Sequence, residues 1–385
     1  MTHRERVQTA LNHEEPDRVP IDLGSTCVTS IAASTYAGLR EHLGLPYKEV
    51  GIAEIVQQIA RVDEDVMEIL GVDFVPVMPA AGLGPVIDED ADGTKSFKDG
   101  FGATLSKPAH GFYYDWTDFP LTEPSIEALN LMPWPETEVP ALYNGLRDRV
   151  LKLRSETDYA LVGMAASGHD LFNQLFRARG MANGMMDLLL EEEFVEAFFD
   201  RLMHTIMRNQ ELFLDEVGDL LDVHFTADDL SGQFAPLISP EIYRKMIKPR
   251  WARIISLIKS KTDAKIFYHT CGAVNEFIPD LIEIGMDILN PVQVASAGMD
   301  SAELKRKYGD KLTFWGGGCD TQNVLPFGTL SDVRLEVERR IRDFAPGGGF
   351  VFNPVHNIQP GVPAENIVAL FVAAKAYRSC QAGFP

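Results

Sequence analysis

Short apolar, β-prone runs recur along the chain at 19–23, 74–77, 159–163, 222–226, 265–268, 287–289, 312–315 and 349–353. Stretches with helical spacing lie between and beyond them, at 2–12, 29–43, 60–70, 170–177, 181–190, 193–216, 240–260, 274–284, 301–308, 331–344 and 364–377. Phe194, Phe198, Leu202, Thr205, Ile206, Asn209 and Leu212 mark one mostly apolar helix face. Thr2 and Glu5 have the spacing of a capping box at the first helix. Eight strand-then-helix units with no detectable repeat predict an α/β chain closed as a single (β/α)₈ TIM barrel. An open doubly wound sheet fits less well, because no GxGxxG turn follows the first strand.

The alternation breaks once, over about 79–135, where Gly, Pro, Asp and aromatic residues dominate. This stretch predicts β-hairpins and an extended loop inserted after the second strand, as a lid or a wall over a site. It is too polar for a core of its own, so residues 1–385 read as a single domain.

Composition narrows the function. Of 385 residues, 45% are hydrophobic and 24% charged, and the net charge of −21 argues against a nucleic-acid surface. The first residues lack the apolar core of a secretory signal, and no run approaches the ~20 apolar residues of a membrane span. A cytoplasm-like compartment is expected. Cys27, Cys271, Cys319 and Cys380 are too few and too scattered for a disulfide framework, which leaves reduced thiols available as ligands.

A closed barrel gathers the carboxyl ends of its strands at one mouth. Residues at those ends are Gly24 to Cys27 after the first strand and Asp228, Asp229 and Gln233 after the fourth. His269 and Cys271 follow the fifth, Asn290 and Gln293 the sixth. Cys319, Asp320 and Gln322 follow the seventh, Asn353 and His356 the eighth. In extended chain, positions i and i+2 share a side, so His269 and Cys271 face one small volume. With Cys319, and with His356 or an aspartate as a fourth donor, they would suit zinc. Cys319 could instead fill space beside Gly316, Gly317 and Gly318. Asp228 and Asp229 read as a general acid and base, or as one helix cap and one site residue. His110, His169, His204 and His224 are expected to be surface or packing residues, Trp315 a wall, and Arg177 and Arg179 a solvated helix end.

The segments DRVP at 17–20, DDLSGQFAPLISPEIYRKMIKP at 228–249, HTCG at 269–272, DILNPVQ at 287–293 and FNPVHNIQPGVPAENI at 352–367 carry a resemblance. Over about 4–377 the chain resembles the uroporphyrinogen decarboxylase superfamily, whose fold is a (β/α)₈ barrel. The tetrapyrrole decarboxylases of that superfamily hold substrate carboxylates with an arginine-rich segment after the first strand. This chain reads IDLGSTCVTS there and has no arginine until Arg40. The closer likeness is to the methylcobamide-dependent methyltransferases, whose thiol-using members carry a His-x-Cys pair matched here by His269 and Cys271. Their later Cys falls in the segment where this chain has His356, so the third metal ligand, Cys319 or His356, stays open.

The resemblance implies Zn²⁺ and a corrinoid presented by a separate protein, since the chain has no Asp-x-His-x-x-Gly. Methyl transfer would run to or from a small thiol, pterin or methylated substrate. The alternative is a metal-free, uroporphyrinogen decarboxylase-like lyase in which His356 and an Asp act directly. On the first reading Asp228, Asp229 and His356 are catalytic, while Asn290, Gln293, Gln322 and Gln233 bind substrate. The partners expected are a small-molecule substrate, a corrinoid protein and, in a homodimer, a second copy of the chain, with neither nucleic acid nor membrane.

Overall fold

A computed structural model describes residues 1–79, 84–135, 140–166 and 170–377. His169 and Cys380 lie outside the described residues. Seven strands, Phe74–Val77, Ala160–Gly163, Val223–Ala227, Lys265–His269, Ile288–Asn290, Thr313–Trp315 and Phe350–Val351, form one sheet in chain order. Every neighbouring pair is parallel.

The first apolar run closes the curl between the two edges. Ile21 bridges Phe352 in parallel, Asp22 donates its N–H to the Phe352 carbonyl at 2.9 Å, and Asp73 donates to the Ile21 carbonyl at 2.8 Å. This staves the barrel with an eighth segment that is only a bridge long. Pro20 has no N–H for a ladder, and Gly24 turns the chain at φ 94°, so pairing stops on both sides of Ile21. The result is a TIM-type barrel.

The interior is packed. Phe74, Phe225, Phe267 and Trp315 meet within it, with ring centroids 4.5 Å apart for Phe74 and Trp315 and 5.1 Å for Phe267 and Trp315. Trp315 is fully buried beneath the mouth and donates to Asp22 at 3.0 Å, a floor rather than a wall. Helices cover the outside. The longest, Glu192–Val217, buries Phe194, Phe198, Leu202, Thr205, Ile206 and Asn209, with Phe213 instead of Leu212 in its last turns. The capping box at Thr2 and Glu5 is present.

Two of the departures from the pattern have a plain cause. The stretch 240–260 is interrupted by a π-helical turn, Tyr243–Ile247, just before Pro249, which has no N–H to continue the regular ladder. Leu146–Glu156 is a helix that the pattern misses, because Leu146 and Val150 are its only buried residues.

Between the second and third barrel strands, Asp88–Glu89, Lys95–Lys98, Thr104–Lys107 and Asp115–Asp118 make an antiparallel sheet of four strands. Phe97, Leu105 and Tyr114 form its small apolar face, against Ile55 and Val56. Tyr114 donates its N–H to the Val56 carbonyl at 2.8 Å, which moors the meander beside the barrel mouth. Among the described residues no helix is long and apolar enough to cross a membrane.

Candidate metal centre

The strand Lys265–His269 delivers His269 to the mouth, and the turn behind it depends on Gly272. Its φ is 89°, and a Cβ there would stand 2.4 Å from the Gly232 carbonyl oxygen. Glycine therefore lets the HTCG turn lie against the loop after the fourth strand.

His269 is 4% exposed and is fixed by register, because it sits opposite Asn290 on the next strand. Its Nδ1 is 2.6 Å from Asn290 Oδ1, and Asn290 Nδ2 donates to the Trp315 carbonyl at 2.9 Å. The second bond orients the amide with its oxygen toward the imidazole. Nδ1 must then carry the proton, which leaves a lone pair on Nε2. That nitrogen is 3.4 Å from Cys271 Sγ.

His356 completes the group. Its ring stands edge-on to His269 with centroids 5.3 Å apart, and the donor atoms of His269, Cys271 and His356 all lie within 4.8 Å of one another. Among the described residues His356 makes no hydrogen bond. Burial and the nearby His269 push it down to about 3, so it is neutral and offers a lone pair. Burial, then the Asp229 carboxylate, hold the Cys271 thiol well above its ordinary range. A cation among these donors would reverse that preference and favour thiolate. Donors about 3.5 Å apart, with bonds of roughly 2.0–2.3 Å, are what tetrahedral zinc requires.

Cys319 does not join them. It is fully buried, with its Sγ 3.8 Å from Glu336 Oε2 and 3.9 Å from the Asp320 carbonyl. The glycine turn before it, with Gly316 and Gly317 at φ 92° and 74°, directs the thiol toward the helix Leu330–Phe344. The expectation of Cys319 as a ligand is corrected by this placement, and of the two candidates left open it is His356 that stands beside the pair.

The two aspartates divide. Asp228 is 1% exposed and accepts from the backbone N–H of Phe172 and Asn173, from Asn173 Nδ2 and from Trp251 Nε1 at 2.8 to 3.1 Å. It caps the helix Phe172–Arg179 from the end of the neighbouring strand. Burial and Asp170 push it up to about 7, against these donors. With its oxygens engaged, Asp228 takes the helix-capping place that the acidic pair offered, while it also lines the larger cavity. Asp229 is 44% exposed, accepts the Cys271 N–H at 2.7 Å, and lies 3.8 Å from His269 Nε2.

The other expected residues spread out. Gln293 accepts the Gly272 N–H at 2.8 Å and so holds the HTCG turn. Gln322 is exposed at the rim of a small cavity, and Gln233 is exposed and absent from the lining of either cavity described below. His224 is buried against Gln210, and His204 and His110 are exposed.

Two cavities flank the donors. One of about 720 Å³ opens toward the meander, with Trp116, Phe119, Glu54 and Arg177 on its wall and His269 and His356 at its base. Another of about 310 Å³ lies on the other side of His356, beside Cys271 and Gln293. Arg177 is thus a lining residue rather than a solvated helix end, held 2.6 Å from Asp170 and over the Trp116 ring at 4.8 Å. Arg179 is buried against Asp187. Glu54, a lone glutamate before a glutamine pair, carries no signal in the chain that would place it on this wall.

A parallel barrel with polar groups collected at the carboxyl rim around a cavity is the plan of a barrel enzyme. A family model for uroporphyrinogen decarboxylase (URO-D) matches residues 116–377. The chain belongs to that family. It is 24% identical over 261 residues to a uroporphyrinogen decarboxylase from Thioalkalivibrio sulfidiphilus, spanning 64% of this chain and 67% of the relative. A second relative of that name, from Psychromonas ingrahamii, is 23% identical over 317 residues, spanning 81% and 78%. A solved methyltransferase from Methanosarcina mazei superposes with a TM-score of 0.61 at 18% identity, covering 98% of this chain and 99% of that one, a likeness of fold.

Proposed function

We propose that this enzyme is a zinc-dependent methyltransferase that moves a methyl group between a corrinoid carried on a separate protein and a small thiol or methylated substrate. The observation that carries the reading is the set of lone-pair donors on His269, Cys271 and His356, all within 4.8 Å and set between two cavities. When bound, zinc would keep a substrate thiol as thiolate near neutral pH, and the methylcobamide would supply or receive the methyl carbon.

The chain's own residues do the rest. His269, Cys271 and His356 hold the ion, and Asn290 fixes the His269 tautomer. Asp229, with a half-exposed carboxylate beside Cys271, takes the proton that an incoming thiol sheds. Trp116 and Phe119 give the larger cavity an aromatic wall. The decarboxylase named for the curated relatives would instead need cations for several substrate carboxylates. Arg177 is paired with Asp170, and Arg40 is bound to Asp63 and Asp65.

Zinc-loaded protein is expected to demethylate free methylcobalamin in the presence of a thiol, followed by the cobalamin absorbance, and to lose this on chelation. Conversion of uroporphyrinogen to coproporphyrinogen by metal-free protein would sink the proposal in favour of the lyase. A finer prediction concerns Asn290. Asn290→Leu removes the acceptor on His269 Nδ1 and should weaken zinc about 10- to 100-fold, the usual cost of losing a ligand's hydrogen-bond partner. Competition against a chelating dye reads this directly, and an unchanged affinity would refute the tautomer argument.

A further inference from the structure

The two cavities flanking the donor cluster share one electrical character. The larger carries Glu54, Asp115, Asp170, Asp228 and Asp229 on its lining against a single guanidinium, Arg177. That guanidinium is already committed, 2.6 Å from Asp170 and stacked over Trp116. Burial favours the neutral forms of Glu54, raised from its ordinary value, and of Asp228, raised to about 7. Even then Asp115, Asp170 and Asp229 face one cation. Among the described residues Asp115 has no basic partner. The smaller cavity adds Asp320 and the amides of Gln293, Gln322 and Gln359, with no lysine or arginine.

An anionic substrate would shed water against these walls without gaining a fork of N–H donors. A cation would gain both the carboxylates and the aromatic faces of Phe119 and Phe176. We infer that the small molecule handled here bears an ammonium group, as an aminothiol or its methyl thioether, with sulfur at the donor cluster and the ammonium among the carboxylates of the larger cavity. This rests on the methyl-transfer reading and adds the substrate's charge class to it.

Three thiols on one two-carbon skeleton differ only at the far end: 2-aminoethanethiol, 2-mercaptoethanol and 2-mercaptoethanesulfonate. Calorimetric titration of each into the zinc-loaded full chain, with affinities compared per thiolate, should rank them ammonium, hydroxyl, sulfonate. The first and last should differ by about tenfold, with the gap shrinking as salt is added. The Asp115→Asn variant, which removes the one carboxylate of Asp115, Asp170 and Asp229 with no basic partner among the described residues, should keep thiol binding and narrow that gap. Equal affinities, or a preference for the sulfonate, overturn the inference and leave methyl transfer standing.

Failure of the wild-type chain to take up zinc brings down the methyl-transfer reading instead. The charge class is then decided on metal-free protein with two probes of similar size, tetramethylammonium and methanesulfonate. The ammonium should bind at least about tenfold more tightly, and a smaller or reversed preference overturns the inference.

Discussion

Replacing Cys271 with alanine is expected to strip zinc from the protein, while Cys319→Ala leaves the metal in place and costs stability instead. Cys271 Sγ lies 3.4 Å from His269 Nε2, and among the described residues no other thiol joins the cluster. Perturbing only the partner of a ligand weakens a metal about 10- to 100-fold, so loss of the thiolate itself should exceed about 100-fold. Cys271 is half-buried at a cavity edge, and the metal-free variant should therefore melt close to the metal-free wild type. Cys319 is fully buried between the seventh strand's turn and the helix Leu330–Phe344, so its truncation leaves a small void costing about 1–2 kcal/mol. Elemental analysis and thermal melts on both variants separate ligand from packing. Full zinc in Cys271→Ala, or its loss in Cys319→Ala, would reverse the assignment.

That contrast shows where the chain is legible and where it is not. Parallel strands covered on both faces read as short apolar runs, which is why the barrel is legible in the sequence alone. The pair His269 and Cys271 is visible for the same local reason, since a strand end fixes the side on which alternate residues lie. Cys319 follows three glycines, and the direction taken after such a turn is set by what packs behind it, here Glu336 and its helix. Arg177 and Glu54 become cavity residues only because the meander at 88–118 and the loop at 51–60 come to the mouth. Both are long-range placements with no periodic signature. Asp228 illustrates the reverse case: an acidic pair invites a catalytic reading, yet one member is held by the N–H groups of a distant helix.

The largest loss of stability is expected from Asp73→Asn, at about 3–5 kcal/mol near neutral pH, because the buried charge it removes leaves two guanidinium groups behind. Asp73 is fully buried and accepts from Arg18 Nη1 and Nη2 at 2.7 and 2.9 Å, Arg6 Nη1 at 2.8 Å, His3 Nδ1 at 2.7 Å and the Ile21 N–H at 2.8 Å. It ties the first helix, the DRVP turn and the bridge-length first stave to the second strand. An asparagine keeps one acceptor and turns an amide donor toward a guanidinium. Burial works to raise the carboxyl, but the hydrogen bond from His3 and the Arg18 guanidinium together hold it below its ordinary value. A depressed folded-state pKa contributes stability that is complete above the unfolded value of about 3.9 and fades as pH falls through the folded one. The difference between wild type and variant should therefore be full at pH 7 and narrow below about pH 4. Urea unfolding at both pH values tests this, and a loss under about 1 kcal/mol at pH 7 would show that the first stave is held by packing rather than by this carboxylate.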